Sequence, residues 1–190
     1  MREEPFLGEG GYKIRNQFAT HFITFAVVEW VDVFTRKLSR DIVLDSIRFC
    51  QKNKTLILNC WCIMSNHLHL IASARNGNLS GILLDFKKFT SKKIISAIKN
   101  NEGESRKEWM LDIFAKAGSG NSRNKDYQFW RQDNQPQELY SAKFVFQKRN
   151  YIHQNPVEAG IVENPEHYLY SSARDYFLQE KCGLLDVSFI

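Results

Sequence analysis

The side chains best suited to chemistry in this sequence are two histidines and, far along the chain, a tyrosine and an asparagine. His67 and His69 are two residues apart, so on a strand they point to the same face. Two neutral imidazoles can hold one divalent ion and leave coordination positions open for substrate. Tyr151 and Asn155 are four apart, so a helix presents a phenol nucleophile and an amide oxygen on one side. Together these groups predict a metal-assisted tyrosine nucleophile that attacks a phosphate.

Each half of this pattern also has a plainer explanation. A His-x-His segment taken alone is more often two hydrogen-bonded or partly exposed histidines beside a turn. Tyr151 could pack with Ile152 against a sheet, and Asn155-Pro156 could simply end a helix. The chemical interpretation depends on the two halves occurring together, because Tyr151 and Asn155 supply the nucleophile and the third ligand that a histidine pair lacks.

The composition places the chain among folded proteins of about one domain. It has 190 residues, of which 43% are hydrophobic and 13% aromatic, and this excludes a disordered chain. The formal net charge of +5 and the pI near 9.0 weakly favour a polyanionic partner. Residues 1–13 show no secretory signal, and no run approaches the ~18 apolar residues of a membrane span. The four cysteines lack the spacing of a disulfide framework, so we expect a cytoplasmic protein without a membrane partner.

Hydrophobic periodicity predicts the elements that must position these side chains. Strands are expected at 21–28, 55–64 and 67–73, and Ser65-Asn66 forms the turn between the last two. Helical spacing predicts helices at 39–53 and 79–98. A capping box from Ser105 to Glu108 is expected to begin a further helix. Residues 118–124 predict a loop, 127–131 a short strand, and 141–153 a helix that Pro156 ends.

This element order predicts the fold class. It indicates an α+β, ferredoxin-like antiparallel sheet with helices on one face, an inserted helix, and an appended helix that bears Tyr151.

Three ordered segments resemble one family, the single-tyrosine HUH transposases (His, hydrophobic residue, His). Segment 61–71 (WCIMSNHLHLI) is similar to their histidine motif. Segments 151–162 (YIHQNPVEAGIV) and 170–176 (YSSARDY) are similar to the REP-associated branch of the family. The resemblance covers roughly residues 17–177, so residues 1–16 and 178–190 are expected to be tails.

The resemblance implies a function and a role for each residue. It implies that Tyr151 forms a 5′-phosphotyrosine with single-stranded DNA next to a hairpin, and that cleavage and rejoining need no nucleotide cofactor. His67, His69 and Asn155 match the ligands of Mg²⁺ or Mn²⁺, although insertion-sequence relatives typically carry Gln in place of Asn155. The implied fold is RRM-like. The implied source is bacterial, with the protein on the nucleoid when it is bound to DNA. Some relatives are homodimers that use the partner subunit's tyrosine, so a homodimer stays open.

Four basic residues are candidates for phosphate contacts. Lys148 and Arg149 directly precede Tyr151, whereas Lys88 and Lys92 lie on one face of the predicted long helix. Such contacts supply affinity without reading sequence. A solvated lysine face is the commoner explanation for the pair on the long helix.

Two other functions compete with the transposase interpretation. Cys60, Cys62, His67 and His69 would form a structural zinc module if the Ser65-Asn66 turn brought the four side chains together. The plainer interpretation of the cysteines is that they are small core residues. A catalytically inactive protein that binds hairpin DNA would keep the fold without forming a covalent adduct.

Overall fold

Four strands and five α-helices are present in the computed structural model, which describes residues 14–120, 126–132, 135–178 and 183–190. The strands are β1 (His21–Ala26), β2 (Leu56–Ile63), β3 (His67–Ala74) and β4 (Gln137–Glu138). The helices are α1 (Lys37–Lys54), α2 (Leu79–Asn100), α3 (Lys107–Ser119), α4 (Ala142–Glu158) and α5 (Ala173–Phe177). Residues 1–13 of the predicted N-terminal tail and 121–124 of the predicted loop lie outside the described residues. No helix in these ranges is long and apolar enough to cross a membrane.

The strands form one antiparallel sheet in the order β2-β3-β1-β4. β2 and β3 form a hairpin in which the Met64 amide donates to the His67 carbonyl at 2.8 Å, so Ser65-Asn66 is the predicted tight turn. A β-α-β-β-α-β chain with this strand order is the ferredoxin-like arrangement. α3 is inserted before β4, and α4 is appended after it. The predicted fold class is therefore confirmed.

One face of the sheet packs against α1 and α2 to form the main core. Alternate residues of β1 and β3 point into it, and these are Ile23, Phe25, Leu68 and Leu70. They meet buried residues of the two helices, among them Val43, Ile47, Ile82 and Ile94. Because strand side chains alternate between faces, this arrangement turns His67 and His69 toward the other side of the sheet.

The other face packs against α4. Phe22 of β1 and Ile71 of β3 form a second, smaller apolar cluster with Ile152 of α4. Cys60 and Cys62 belong to this cluster, whereas Leu58 belongs to the main core. A shift in register between Leu58 and Cys60 reverses the alternation along β2. The appended helix thus lies on the same face as the two histidines.

Two later segments cover the outer edge of β2. The Ile63 amide donates to the Tyr170 carbonyl and the Ser172 amide donates to the Trp61 carbonyl, both at 2.9 Å. Farther along, the Ser188 amide donates to the Leu58 carbonyl at 2.9 Å, so part of the predicted C-terminal tail pairs with the sheet. Covering an edge strand in this way satisfies its unpaired backbone groups.

Three local predictions are wrong. Ser105 does not cap α3, because the helix begins at Lys107 after Arg106, without a side-chain cap. The acidic side chain there is Glu104, which accepts hydrogen bonds from the Arg106 amide and from the guanidinium groups of Arg36 and Arg106. Residues 127–131 form a single bridge between Trp130 and Val27 instead of a strand, and the strand that pairs with β1 is β4.

The third correction concerns Pro156, which lies inside α4 and does not end it at His153. Beyond the proline, the Ala159 amide donates to the Asn155 carbonyl at 3.0 Å and the Ile161 amide donates to the Pro156 carbonyl at 2.9 Å. Proline removes one backbone donor, and its restriction on the preceding residue is a preference that packing can override. Pro156 is buried on this helix, so Asn155 lies within the helix rather than at its end.

Candidate functional site

A cleft of about 450 Å³ opens where β1 and β3 meet α4. Its lining includes His67 and His69 from β3 and Tyr151 and Asn155 from α4. The sequence separates the two pairs widely, and the packing of α4 on the sheet brings them together. The other lining residues are Phe22, Thr24, Trp30 and Lys148.

His67 is held in one tautomer by Asn66. The Asn66 side-chain nitrogen donates to the Trp30 carbonyl at 3.1 Å, which fixes the orientation of the amide. Its oxygen lies 2.7 Å from Nδ1 of His67. Because an amide oxygen can only accept, Nδ1 of His67 carries the proton and Nε2 carries the lone pair. Burial lowers the pKa of His67, and a hydrogen bond between its side chain and that of Asn155 opposes this shift.

His69 is buried and has one ring nitrogen without a partner. Its Nδ1 lies 2.8 Å from Oγ1 of Thr24, which is directly opposite on β1. Its Nε2 is buried and has no hydrogen-bond partner in the part of the chain that the structure describes. Burial lowers the pKa of His69 to about 3, and His67 and Lys148 act in the same direction. A neutral imidazole with an unsatisfied buried nitrogen is an arrangement that a ligand atom can relieve.

Tyr151 stands beside the histidines on α4. Its ring centroid is 5.3 Å from that of His69 and 5.9 Å from that of Phe22, with edge-to-face packing in both cases. The residue keeps 44% of its surface exposed, so the phenol remains accessible from the cleft. Buried Ile152 and His153 follow it and hold this stretch of α4 against the sheet.

Among the described residues, Lys148 is the one charged residue that lines the cleft. Its Nζ lies 4.6 Å from the ring centroid of Phe22 and 5.9 Å from that of Tyr151. Burial lowers the pKa of this ammonium group. Within the described ranges, no carboxylate lies within ion-pairing distance of it. The cleft therefore presents a partly desolvated positive charge, which suits an anionic ligand.

The comparisons with known proteins bear on the fold. The chain is similar to the solved structure of a REP-associated tyrosine transposase bound to a REP hairpin. The TM-score is 0.60, the sequence identity is 14%, and the match covers 95% of this chain and 91% of that chain. No family model and no curated protein matches the sequence. At this identity the likeness shows a shared fold across almost the whole chain.

The other predicted basic residues lie away from the cleft. Lys88 and Lys92 are exposed on α2, which packs on the opposite face of the sheet from α4. Arg149 neighbours Lys148 in sequence, yet its guanidinium donates to the Ile190 carbonyl at 3.2 Å and lies over the ring of Tyr176. Of the four predicted cations, the structure brings only Lys148 together with the histidines and Tyr151.

The structure does not assemble the zinc module. Cys62 does pair with His69 across the hairpin, as the tight turn requires. However, Cys60 Sγ lies 3.1 Å from Nε2 of His153, and burial raises the pKa of Cys60 to about 12. Among the described residues, no three His, Cys, Asp or Glu side chains are grouped so that they could hold a metal ion. Cys60 and Cys62 are buried core residues, as their plainer interpretation states.

The sequence did not indicate four residues of the site, which are Phe22, Thr24, Trp30 and Asn66. Phe22 and Thr24 alternate along β1, so a shared face was readable from the sequence. The pairing of Thr24 with His69 depends on the register between β1 and β3, which the sequence does not display. Nothing in the sequence indicated Trp30, because it lies in an irregular segment after β1.

Proposed function

We propose that this protein is a metal-dependent transposase and endonuclease that cleaves and rejoins single-stranded DNA next to REP-like hairpins. Oη of Tyr151 attacks the phosphorus, and the bond from phosphorus to the 3′ oxygen breaks. The phenol loses its proton, the leaving oxygen gains one, and the products are a 5′-phosphotyrosine and a free 3′-OH. Attack by a 3′-OH on the phosphotyrosine reverses the step. The energy of the phosphodiester is retained in the adduct, so rejoining needs no nucleotide cofactor.

One observation carries this proposal: the fold brings an accessible tyrosine to two histidines in a cleft where the single charged residue, of those described, is a lysine. A tyrosine beside an anion-binding surface is suited to covalent catalysis on a phosphate. The likeness to a transposase bound to a REP hairpin supports hairpin DNA as the substrate class.

The residues present fit a divalent ion. Asn66 leaves the lone pair of His67 on Nε2, and Nε2 of His69 is buried with no partner from the described ranges. If Nδ1 of His69 donates to Thr24, both Nε2 atoms are available as ligands. The amide oxygen of Asn155 would be the third ligand. This neutral set leaves the charge of Mg²⁺ or Mn²⁺ available to polarise a phosphate and offset the charge that develops on it.

Other residues of the cleft, and residues next to it, bind the substrate or hold the reactive groups in place. Lys148 would contact a phosphate oxygen, because its ammonium is partly desolvated and has no carboxylate partner among the described residues. Thr24 and Asn66 hold the imidazoles of His69 and His67. Ile152 and His153 anchor the helix that carries the phenol. Positioning of this kind supplies a large part of catalysis in phosphoryl transfer.

Incubation of the protein with a single-stranded hairpin oligonucleotide and Mn²⁺ tests the proposal on a denaturing gel. We expect a covalent protein–DNA band that is lost in Tyr151→Phe and strongly reduced in His67→Ala. Tyr140→Phe is a matched control, since Tyr140 is 82% exposed and does not line the cleft. His167→Ala plays the same role for the histidines, because His167 is exposed in a 3-10 helix.

The outcomes separate the competing functions. A band that persists in Tyr151→Phe would refute the nucleophile assignment. Binding of the hairpin with no covalent band in the wild type would identify a catalytically inactive hairpin-binding protein.

A further inference from the structure

We propose that Trp30 is a stacking platform for one nucleobase, that of the nucleotide on the 5′ side of the cleaved bond. This inference rests on the proposed function and adds a residue that positions the substrate. It assigns to Trp30 the base whose sugar bears the leaving 3′ oxygen. The evidence comes from the exposure of the indole, the backbone that holds it, the groups around it and its place relative to Tyr151.

The backbone holds Trp30 in an unfavourable conformation. Glu29 and Trp30 have φ angles of 50° and 54°, a left-handed region that bulky side chains rarely occupy. The Trp30 amide donates to the Val27 carbonyl at 3.1 Å, and the Trp30 carbonyl accepts from the Asn66 side chain. Strained backbone that is fixed in this way occurs preferentially at ligand-binding positions.

The indole lines the cleft and remains 49% exposed. It packs edge-to-face with His67, with ring centroids 5.8 Å apart and an interplanar angle of 85°. The guanidinium carbon of Arg131 lies 5.4 Å from its centroid. An exposed aromatic ring beside a cation suits a ligand that combines a flat π system with negative charge, which is the description of a nucleotide.

The sequence of ring contacts in the cleft indicates on which side of the cleaved bond the stacked base lies. Tyr151 packs on His69, His69 on His67 at 4.7 Å, and His67 on Trp30. Among the described residues, Tyr151 makes ring contact with His69 but not with His67 or Trp30, so Trp30 meets the histidine pair at the member that does not contact the nucleophile. In phosphoryl transfer the attacking and leaving oxygens are roughly in line across the phosphorus. A phosphate held at the histidines and attacked from Tyr151 then directs its leaving nucleotide toward Trp30.

A purely structural role for Trp30 makes a different prediction. If the indole served only to cover His67, its loss would lower stability and metal affinity, and the penalty would not depend on which bases the DNA carries. A stacking platform instead couples Trp30 to one base. The test must therefore vary the protein and the oligonucleotide together.

The experiment uses the full chain and a hairpin oligonucleotide whose cleavage position has been mapped from the released 3′-OH product. Affinity is measured in the Tyr151→Phe background so that no cleavage occurs, with the base removed from the nucleotide on the 5′ or the 3′ side. Without Trp30 substitution, we expect the abasic 5′ nucleotide to weaken binding roughly 5- to 150-fold, the range that stacking of one base contributes. The double variant that also carries Trp30→Leu should bind intact DNA with this same reduced affinity. Removing the base of the 5′ nucleotide should then cause no further loss of affinity. Trp30→Leu keeps an apolar side chain against His67 but removes the aromatic ring.

Trp109→Leu is the matched control, since Trp109 is 53% exposed and does not line the cleft. We expect it to retain the full abasic penalty. If Trp30→Leu also retains this penalty while the wild type forms the covalent adduct, the platform is refuted and the proposed function stands. If the wild type forms no adduct, the proposed function fails and this inference fails with it. If Trp30→Leu abolishes only the penalty of the abasic 3′ nucleotide, the assignment to the leaving side is overturned.

Discussion

Replacing Thr24 with valine removes the hydroxyl that lies 2.8 Å from Nδ1 of His69 and changes little in side-chain volume. If His69 binds a metal through Nε2, its Nδ1 carries a proton that needs an acceptor, and Thr24 supplies it. Loss of such an outer-sphere partner typically lowers metal affinity 10- to 100-fold. At about 1.4 kcal/mol per tenfold change, the expected cost is about 1.4 to 2.8 kcal/mol of binding free energy. We expect Thr24→Val to raise the dissociation constant for Mn²⁺ by that factor.

The same substitution should lower folding stability by a comparable amount, so metal affinity is measured on the folded protein. A buried polar group that loses its hydrogen-bond partner costs about 1–3 kcal/mol, and Nδ1 of His69 would join Nε2, which has no partner among the described residues. The assay is titration with Mn²⁺ monitored by electron paramagnetic resonance, together with the rate of covalent adduct formation across a range of metal concentrations. The adduct rate of Thr24→Val should recover at high Mn²⁺, because the nucleophile and the oxygen ligand are unchanged.

Thr24→Ser is the matched control, since it keeps the hydroxyl and removes only the methyl group. We expect it to bind Mn²⁺ nearly as the wild type does. A less than twofold change in Thr24→Val would refute the role assigned to this hydrogen bond. Equal losses in the serine and valine variants would show that packing, and not the hydroxyl, sets the affinity.

Three further predictions follow from the charges and ligands of the structure. Lys148→Met should weaken binding of single-stranded DNA and reduce the slope of log affinity against log salt by about 1. Lys92→Met, on the far side of the sheet, should change the affinity and the slope less. Equal effects of the two variants would contradict a DNA path through the cleft. Chelation with EDTA should abolish the covalent adduct and leave the thermal unfolding curve nearly unchanged; unfolding in the chelator would instead favour a structural metal. Ion pairs with Arg36 and Arg106 lower the pKa of Glu104, whose side chain is 2% exposed, so its stabilising contribution is present at neutral pH and is lost as the pH falls below about 4.3. Glu104→Gln should reduce the acid dependence of the unfolding free energy in urea titrations, and an unchanged dependence would contradict the assignment.

The parts of the fold that the sequence predicted are those that local patterns determine. The hairpin of β2 and β3 is specified by two apolar strands around Ser65-Asn66, and the predicted limits of α2 fall within two residues of the observed ones. The alternation of His67 and His69 with buried Leu68 and Leu70 also follows from the strand itself. Such features need no knowledge of distant contacts.

The wrong predictions occur where a contact with a residue distant in sequence determines the local secondary structure. The capping box from Ser105 fails because Glu104 is already paired with Arg36, which lies far away in sequence. Pro156 is retained inside α4, where it is buried. The short strand predicted at 127–131 is displaced by β4, whose residues Gln137 and Glu138 carry no strand signal. A local pattern gives a preference, and tertiary packing can outweigh it.

The position of Tyr151 depends on a buried polar contact that no sequence motif predicted. His153, two residues later, has Nε2 at 3.0 Å from Oγ of Ser172 and 3.1 Å from Sγ of Cys60. Burial lowers the pKa of His153 to about 3, so the imidazole is neutral and this network holds no buried charge. Ser172 also accepts a hydrogen bond from the Trp61 amide at 2.9 Å, so α4 is tied both to β2 and to the segment that covers its edge. His153 therefore helps to set the position of Tyr151, because this contact fixes the rotation and height of the helix that presents the phenol. Segments 151–162 and 170–176 thus form a single hydrogen-bonded unit with β2.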